Sequence, residues 1–195
     1  QAKLAMAIWI GTIPILIVGL SIERFWVDFE TSEFRSVPFI GFISIVMALL
    51  LFVAERLGKQ TKLLNKISIK EGVMVGIGQV FALIPGVSRS GITLTASMLC
   101  GITRKDAARF SFLLGIPAIT IAGISQLNEA LVSQSEINAG IIPLLIGILT
   151  AAFVSWISID WLLSYLKRNS TFVFIIYRLF FGIVLLISTR AIPSS

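Results

Sequence analysis

Apolar runs of bilayer-spanning length recur along this chain, with most charged residues gathered in the short stretches between them. A helix rises 1.5 Å per residue and the hydrocarbon core of a membrane is about 30 Å thick, so about 18 to 25 apolar residues make one crossing. Leu4 to Leu20, Val37 to Ala54, Asp106 to Leu127, Ala139 to Leu166 and Thr171 to Thr189 have that character. Backbone N–H and C=O groups find no water at that depth, so each run is expected to form a helix that satisfies them internally. Only 13% of the 195 residues are charged, against roughly 25% in soluble domains. The fold class expected is therefore an all-α polytopic membrane protein, a single integral membrane domain over residues 1 to 195 with five crossings. The first run is too long for a signal-peptide core and lacks a small-residue cleavage site before Glu23, so it counts as a crossing. Pro14 and Pro117 are expected to kink the first run and break the third.

The net charge of +6 reports orientation and no nucleic-acid partner, because the cations sit between apolar runs and form no patch interleaved with aromatics. Arg56, Lys59, Lys62, Lys66 and Lys70 mark a cytoplasmic segment, as do Arg104, Lys105 and Arg109, and then Lys167 and Arg168. The stretch from Ile22 to Ser36, with Glu23, Asp28, Glu30, Glu33 and Trp26, reads as an outside loop, and so does the stretch holding Glu129 and Glu136. Asp160 lies near the end of its run and reads as interfacial. Cys100, the only cysteine, can form no intrachain disulfide. The chain has no histidine, which removes the commonest acid/base group and metal ligand.

Glu71 to Gly101 departs from the pattern. As one helix it would extend about 46 Å, well beyond the hydrocarbon core, and cytoplasmic-type charge flanks it at both ends. A re-entrant helix-loop-helix hairpin over about 71 to 101 resolves both problems, and it places the tip near mid-membrane. The tip is Ile84-Pro85-Gly86-Val87-Ser88-Arg89-Ser90-Gly91-Ile92-Thr93. Pro85 has no N–H and Gly86 tolerates positive φ, so the first half-helix should stop there, and Gly91 should allow the second to restart. A helix N-terminus offers unpaired N–H donors and a positive dipole end, while the guanidinium of Arg89 adds a planar fork, so the loop has the composition of a phosphate cradle. An arginine at that depth costs several kcal/mol unless paired or hydrated, and Arg178, near the centre of the last run, is a second candidate anion donor or a counter-ion on the same ground. Gly72 and Gly76, at GxxxG spacing, permit a close helix approach. Gly76-Ile77-Gly78 fails as a dinucleotide fingerprint, since Phe81 takes the third glycine position and no strand precedes it.

A phosphate cradle in a broken membrane helix serves either hydrolysis of a lipid phosphate ester or transport of an anion or lipid phosphate by an inverted-repeat flippase. The histidine-dependent lipid phosphatase signature is excluded by composition. The chain resembles the bacterial undecaprenyl-diphosphate phosphatases, or bacitracin-resistance proteins, along essentially its whole length. The resemblance rests on Gly78-Gln79 before Phe81-Ala82-Leu83, then Pro85-Gly86-Val87-Ser88-Arg89-Ser90-Gly91-Ile92-Thr93, then Arg104, Ala107, Phe110-Ser111-Phe112-Leu113-Leu114, Pro117 and Tyr177-Arg178. It implies a multi-pass enzyme of the bacterial inner (plasma) membrane that hydrolyses undecaprenyl diphosphate to undecaprenyl phosphate and inorganic phosphate, recycling a lipid carrier for cell-wall (peptidoglycan) synthesis. It also implies Ser88, Arg89 and Thr93 as catalytic residues, with Gly86, Ser90, Gly91, Gln79 and Arg178 as substrate-binding residues. A divalent cation, Mg or Ca, is implied as cofactor, the bilayer and undecaprenyl diphosphate as partners, and a homodimer is compatible with it. Members of the family carry a further N-terminal part with a glutamate-rich motif and a histidine on a second, inverted re-entrant hairpin. The chain resembles roughly their C-terminal two-thirds, so the metal ligands and acid/base group are expected in that further part. Residues 1 to 195 alone are expected to hold phosphate without cleaving it.

The charge pattern makes a direct topological prediction. Single cysteines introduced as Lys66→Cys and Lys105→Cys in a Cys100-free background should label from the cytoplasmic side only; labelling from opposite sides would convert Glu71 to Gly101 into a spanning helix.

Overall fold

Seven helices account for the expected runs. The computed structural model describes residues 2–25, 33–133 and 141–191. They are α1 (Ala2–Phe25), α2 (Val37–Leu57), α3 (Ile69–Val80), α4 (Arg89–Leu99), α5 (Arg104–Ser133), α6 (Ile141–Arg168) and α7 (Phe172–Ala191). Five of them, α1, α2, α5, α6 and α7, are long and apolar enough to cross a membrane. Trp26, Asp28, Glu30 and Glu136 of the expected outside loops lie outside the described residues, as do the side chains of Glu23 and Glu129.

The expectation that Pro117 breaks its run is not met: α5 continues through it for 30 residues, and Pro14 likewise lies inside an unbroken α1. Proline removes one i→i−4 bond, whereas opening the helix in an apolar medium would expose several further polar groups, each costing several kcal/mol.

α3 and α4, of 12 and 11 residues, reach about 18 and 16 Å, too short to cross. They pack side by side as a hairpin whose two ends are fastened together. The amides of Thr61 and Lys62 both donate to the Gly101 carbonyl at 2.9 Å, and the Thr103 amide donates to the Lys62 carbonyl at 3.0 Å. Asp106 adds a side-chain acceptor for the Leu64 amide at 3.2 Å. The cationic flanks before and after the segment are thus neighbours, as a re-entrant hairpin requires. At the start of α3, Ser68 and Glu71 form a reciprocal capping box, and Glu71 is ion-paired with Lys62. Burial alone would raise the Glu71 carboxyl, but hydrogen bonds from Lys62 and Ser68 outweigh it and hold it at about 2. A depressed carboxyl stabilises fully above its ordinary value, so this clasp is intact at neutral pH and is lost as pH falls from about 4.5 toward 2.

Glycine sets how closely the helices approach. A Cβ on Gly72 would lie 2.6 Å from the Ala7 carbonyl, and one on Gly76 would overlap the Gly11 backbone, so α3 lies directly on α1 through the GxxxG pair. On the other side of the molecule α2 crosses α7 at Gly41 and Gly182, where a Cβ on Gly182 would lie 2.7 Å from the Gly41 carbonyl. Between these pairs the hairpin supplies the core: Val75, Met98 and Ile102 are buried against Phe110 and Leu114 of α5.

Below this core, a buried carboxylate not singled out in the sequence ties three helices together. Glu55, 7% exposed, accepts from Arg104 Nε at 2.7 Å and from Thr171 Oγ1 at 2.7 Å, and is ion-paired with Arg104 Nη2 at 2.5 Å. It joins the ends of α2, α5 and α7. Glu55→Ala should destabilise the protein by less than the about 3–5 kcal/mol lost when a wholly buried pair is broken, because the Arg104 side chain is 35% exposed. Glu55→Gln, which keeps an acceptor for Thr171, should lose less; chemical unfolding in micelles measures both, and equal stability of all three proteins would leave the network without structural weight.

Candidate functional site

The tip of the hairpin is built by its own sequence. After α3 a short 3₁₀ turn, Phe81–Leu83, carries the chain to Ile84, and the Val87 amide closes back on the Ile84 carbonyl at 3.2 Å. Pro85 and Gly86 occupy the two central positions, and Gly86 has φ +92, the type II arrangement that requires a residue free to adopt positive φ. A Cβ on Gly86 would also lie 2.9 Å from the Ile40 carbonyl of α2.

The restart differs from the expectation. α4 begins at Arg89, not after Gly91, and the second positive φ of the turn falls on Ser88, at 67°. Ser88 is the N-cap: its Oγ accepts from the Gly91 amide at 3.3 Å, and its carbonyl accepts from Ile92 at 3.0 Å. A local side-chain acceptor is what makes left-handed geometry tolerable at a non-glycine position. Gly91 is instead kept small by its neighbours, since a Cβ there would lie 2.6 Å from Arg178 Nη1. The amides of Arg89 and Ser90 open the helix and carry no protein acceptor among the described residues.

Two arginines grip the tip from opposite sides. Arg178 of α7 donates from Nη1 to the Val87 carbonyl at 3.0 Å and from Nη2 to the Gly86 carbonyl at 2.6 Å. Among the described residues it forms no ion pair, so it is no counter-ion there; it satisfies the two carbonyls that the break in the helix leaves without partners. Its own position is fixed from α2, where Ser44 Oγ donates to the Arg178 carbonyl at 3.2 Å. Arg89 turns toward α5, lies over Gly115 where any Cβ would overlap its guanidinium, and donates from Nη1 to the Ser111 carbonyl at 3.3 Å. Its Nε and Nη2 keep no protein acceptor among the described residues.

Thr93 is fully buried one turn into α4. Its Oγ1 lies 2.9 Å from the Arg89 carbonyl and shares a 2.5 Å hydrogen bond with Ser111 Oγ, which is also 3.3 Å from the Ser90 carbonyl. Ser111 therefore contacts the backbone or side chains of Arg89, Ser90 and Thr93 together. In the sequence it stands as a lone polar residue in an apolar run, within the Phe110-Ser111-Phe112-Leu113-Leu114 string that carries the resemblance.

A cavity of about 210 Å³ opens beside the loop. Its polar end holds Ser88, Ser90, Gly91, Thr95, Ser111 and Arg178; Met47, Leu51, Phe112, Leu162 and Phe174 form its apolar walls. The expected site residues thus divide. Ser88, Ser90, Gly91 and Arg178 line the cavity, Arg89 and Thr93 face α5, Gly86 packs on α2, and Gln79 is buried in α3 away from the cavity lining, its amide without a partner among the described residues. The divalent cation implied by the resemblance does not fit these residues: the lining offers hydroxyls, carbonyls and guanidinium but no carboxylate, and among the described residues no three His, Cys, Asp or Glu side chains converge.

Five long apolar helices around a hairpin whose tip joins a serine-capped helix start to two arginines define an all-α, multi-pass membrane protein. The chain belongs to the family described as bacitracin resistance protein BacA, whose model matches residues 1–184. It is 60% identical over 187 residues to a protein of Parasynechococcus marenigrum (strain WH8102) named undecaprenyl-diphosphatase, covering 95% of this chain and 64% of that relative. A protein of the same name from Synechococcus sp. (strain WH7803) is 57% identical, again with 64% of its length covered. A third, from Synechococcus sp. (strain RCC307), is 56% identical over all of this chain and 67% of its own length. The chain thus spans about two thirds of the length of these relatives.

Arg178→Gln should leave the Gly86 and Val87 carbonyls under-satisfied, at a cost of about 1–3 kcal/mol. Amide exchange should rise selectively across residues 86 to 91 while the α1–α3 pair is unchanged; uniform exchange throughout would remove Arg178 as the restraint on the loop.

Proposed function

We propose that the loop binds the diphosphate of a polyprenyl lipid and that the protein acts as an undecaprenyl-diphosphate phosphatase, releasing inorganic phosphate and leaving the lipid monophosphate. The observation that carries this reading is the helix start itself, where two free amides and the Ser88 hydroxyl meet beside a cavity with apolar walls, with the unspent donors of Arg89 on the α5 side of the same turn. Such a site suits a ligand with an anionic head and a hydrocarbon body. The names carried by the relatives support the choice of substrate. Arg89 would clamp the phosphoryl oxygens as charge develops on them, the Arg89 and Ser90 amides and Ser88 Oγ would complete a preorganised anion site, and Arg178 would hold the loop in register. Thr93 contributes by fixing the first turn of α4 through Ser111.

Within this reading the protein sits in the bacterial plasma membrane with the base of the hairpin facing the cytoplasm, as its cationic flanks favour. The loop itself offers neither a general base nor a carboxylate ligand for a divalent cation. An anion or lipid-phosphate transporter would use the same cradle but would move the substrate intact.

Phosphate release from undecaprenyl diphosphate separates the two. In a protein carrying this chain at the full length of its relatives, release should depend on added Mg or Ca and stop with chelator. Arg89→Lys keeps the charge but loses the planar fork, and turnover should fall by about 10² or more, the scale of losing one transition-state donor. Near-normal turnover would reduce Arg89 to generic electrostatics, and intact translocated lipid without phosphate release would favour the transporter.

A further inference from the structure

A second cavity, of about 510 Å³, lies on the seam between α5 and α6 and is lined by Lys105, Arg109, Asp160, Ser164, Lys167 and Arg168 with Leu163. Four cations from two helices converge there against one carboxylate, and among the described residues none of the four forms an ion pair. Orientation by the positive-inside rule needs only that cations be present in the segment; it does not require them to face one cavity. The level of the cavity matters equally. The apolar span of α5 starts at Arg104 and that of α6 ends at Arg168, so the cup sits where hydrocarbon gives way to headgroups. On the same turns of α6 Trp161, 63% exposed, stacks on Tyr165 at 5.7 Å, an amphipathic pair suited to the same boundary.

We propose that this cup binds the headgroup of an anionic glycerophospholipid. Lysine and arginine would neutralise the phosphodiester, Arg109 and Arg168 with forked donors and Lys105 and Lys167 as point charges. Asp160 and Ser164 would accept from and donate to the polar alcohol of the headgroup, which a bare phosphate does not have. The acyl chains would lie along the exposed apolar face of α6, where Ile157 and Val154 point outward. A soluble anion would gain nothing from that face, and a choline headgroup would bring its own cation into a cup already positive. The cup is separate from the loop cavity, so the inference stands whether or not the reading of the loop as a diphosphate site holds.

The test titrates the purified chain in neutral detergent with phosphatidylglycerol, phosphatidylcholine or inorganic phosphate and reads the thermal unfolding midpoint. Phosphatidylglycerol alone should raise it. The pair Arg109→Gln with Lys167→Gln should need about thirtyfold more lipid for the same rise, about fivefold for each cation removed; the pair Lys105→Gln with Arg168→Gln should lose a similar amount. The pair Lys66→Gln with Lys70→Gln, an equal charge loss on exposed residues elsewhere, should behave as the unmodified chain. An equal loss in that control pair would mean a diffuse charge effect and overturn the site. An equal rise with phosphatidylcholine, or competition by millimolar phosphate, would overturn the assignment to an anionic lipid.

Discussion

A helix interrupted inside a bilayer leaves carbonyls and amides that no water can reach, and the described structure is arranged around meeting that demand at Gly86 to Ser90. Arg178 takes the Gly86 and Val87 carbonyls with its two terminal nitrogens. Ser88 turns its own hydroxyl back onto the Gly91 amide. Among the described residues, the amides of Arg89 and Ser90 at the start of α4 and part of the Arg89 guanidinium keep no protein acceptor. The broken segment is thus satisfied on its carbonyl side by the protein and left unsatisfied on its donor side, the asymmetry an anion site needs.

Holding that arrangement takes support from each neighbour. α2 supports the loop through the close approach of Gly86 to Ile40 and, through Ser44, fixes the backbone of Arg178. α5 supports it through Ser111, whose hydroxyl and carbonyl reach Thr93 and Arg89, and through Gly115, which leaves room for the guanidinium. The glycine contacts of α1 with α3 and of α2 with α7 fix the spacing of the frame in a medium where hydrophobic burial does not drive helices together.

Much of this was legible in the residues. The lengths of the apolar runs gave the crossings, the cations at both ends of Glu71 to Gly101 gave the hairpin, and Pro85-Gly86 gave the turn. Composition and spacing do not give the azimuth of a side chain about its helix, and that is where the reading was incomplete. Arg89 and Arg178 are alike in the sequence as anion donors, yet Arg178 spends two nitrogens on backbone carbonyls, while Arg89 faces α5 with Nε and Nη2 unspent among the described residues. Gly91 looked like the restart because glycine usually supplies positive φ; Ser88 adopts it instead because its hydroxyl caps the helix it starts. Pro117 resembles a break because proline removes a helix hydrogen bond, yet in an apolar medium opening the helix would cost more, and α5 runs through it. Glu55 escaped notice beside Arg56 and Lys59, where a lone acid resembles interfacial charge, and only the fold brings Arg104 and Thr171 to it.

The fastening of the hairpin at its base has a mechanical consequence. With Lys62 bonded to Gly101 and Thr103, the segments that enter and leave the hairpin are held in register at its base. With arms of about 16 to 18 Å, a tilt of a few degrees there would carry the tip about an ångström sideways, enough to make or break a hydrogen bond, and the close contacts of α3 with α1 and of Gly86 with α2 stand against it.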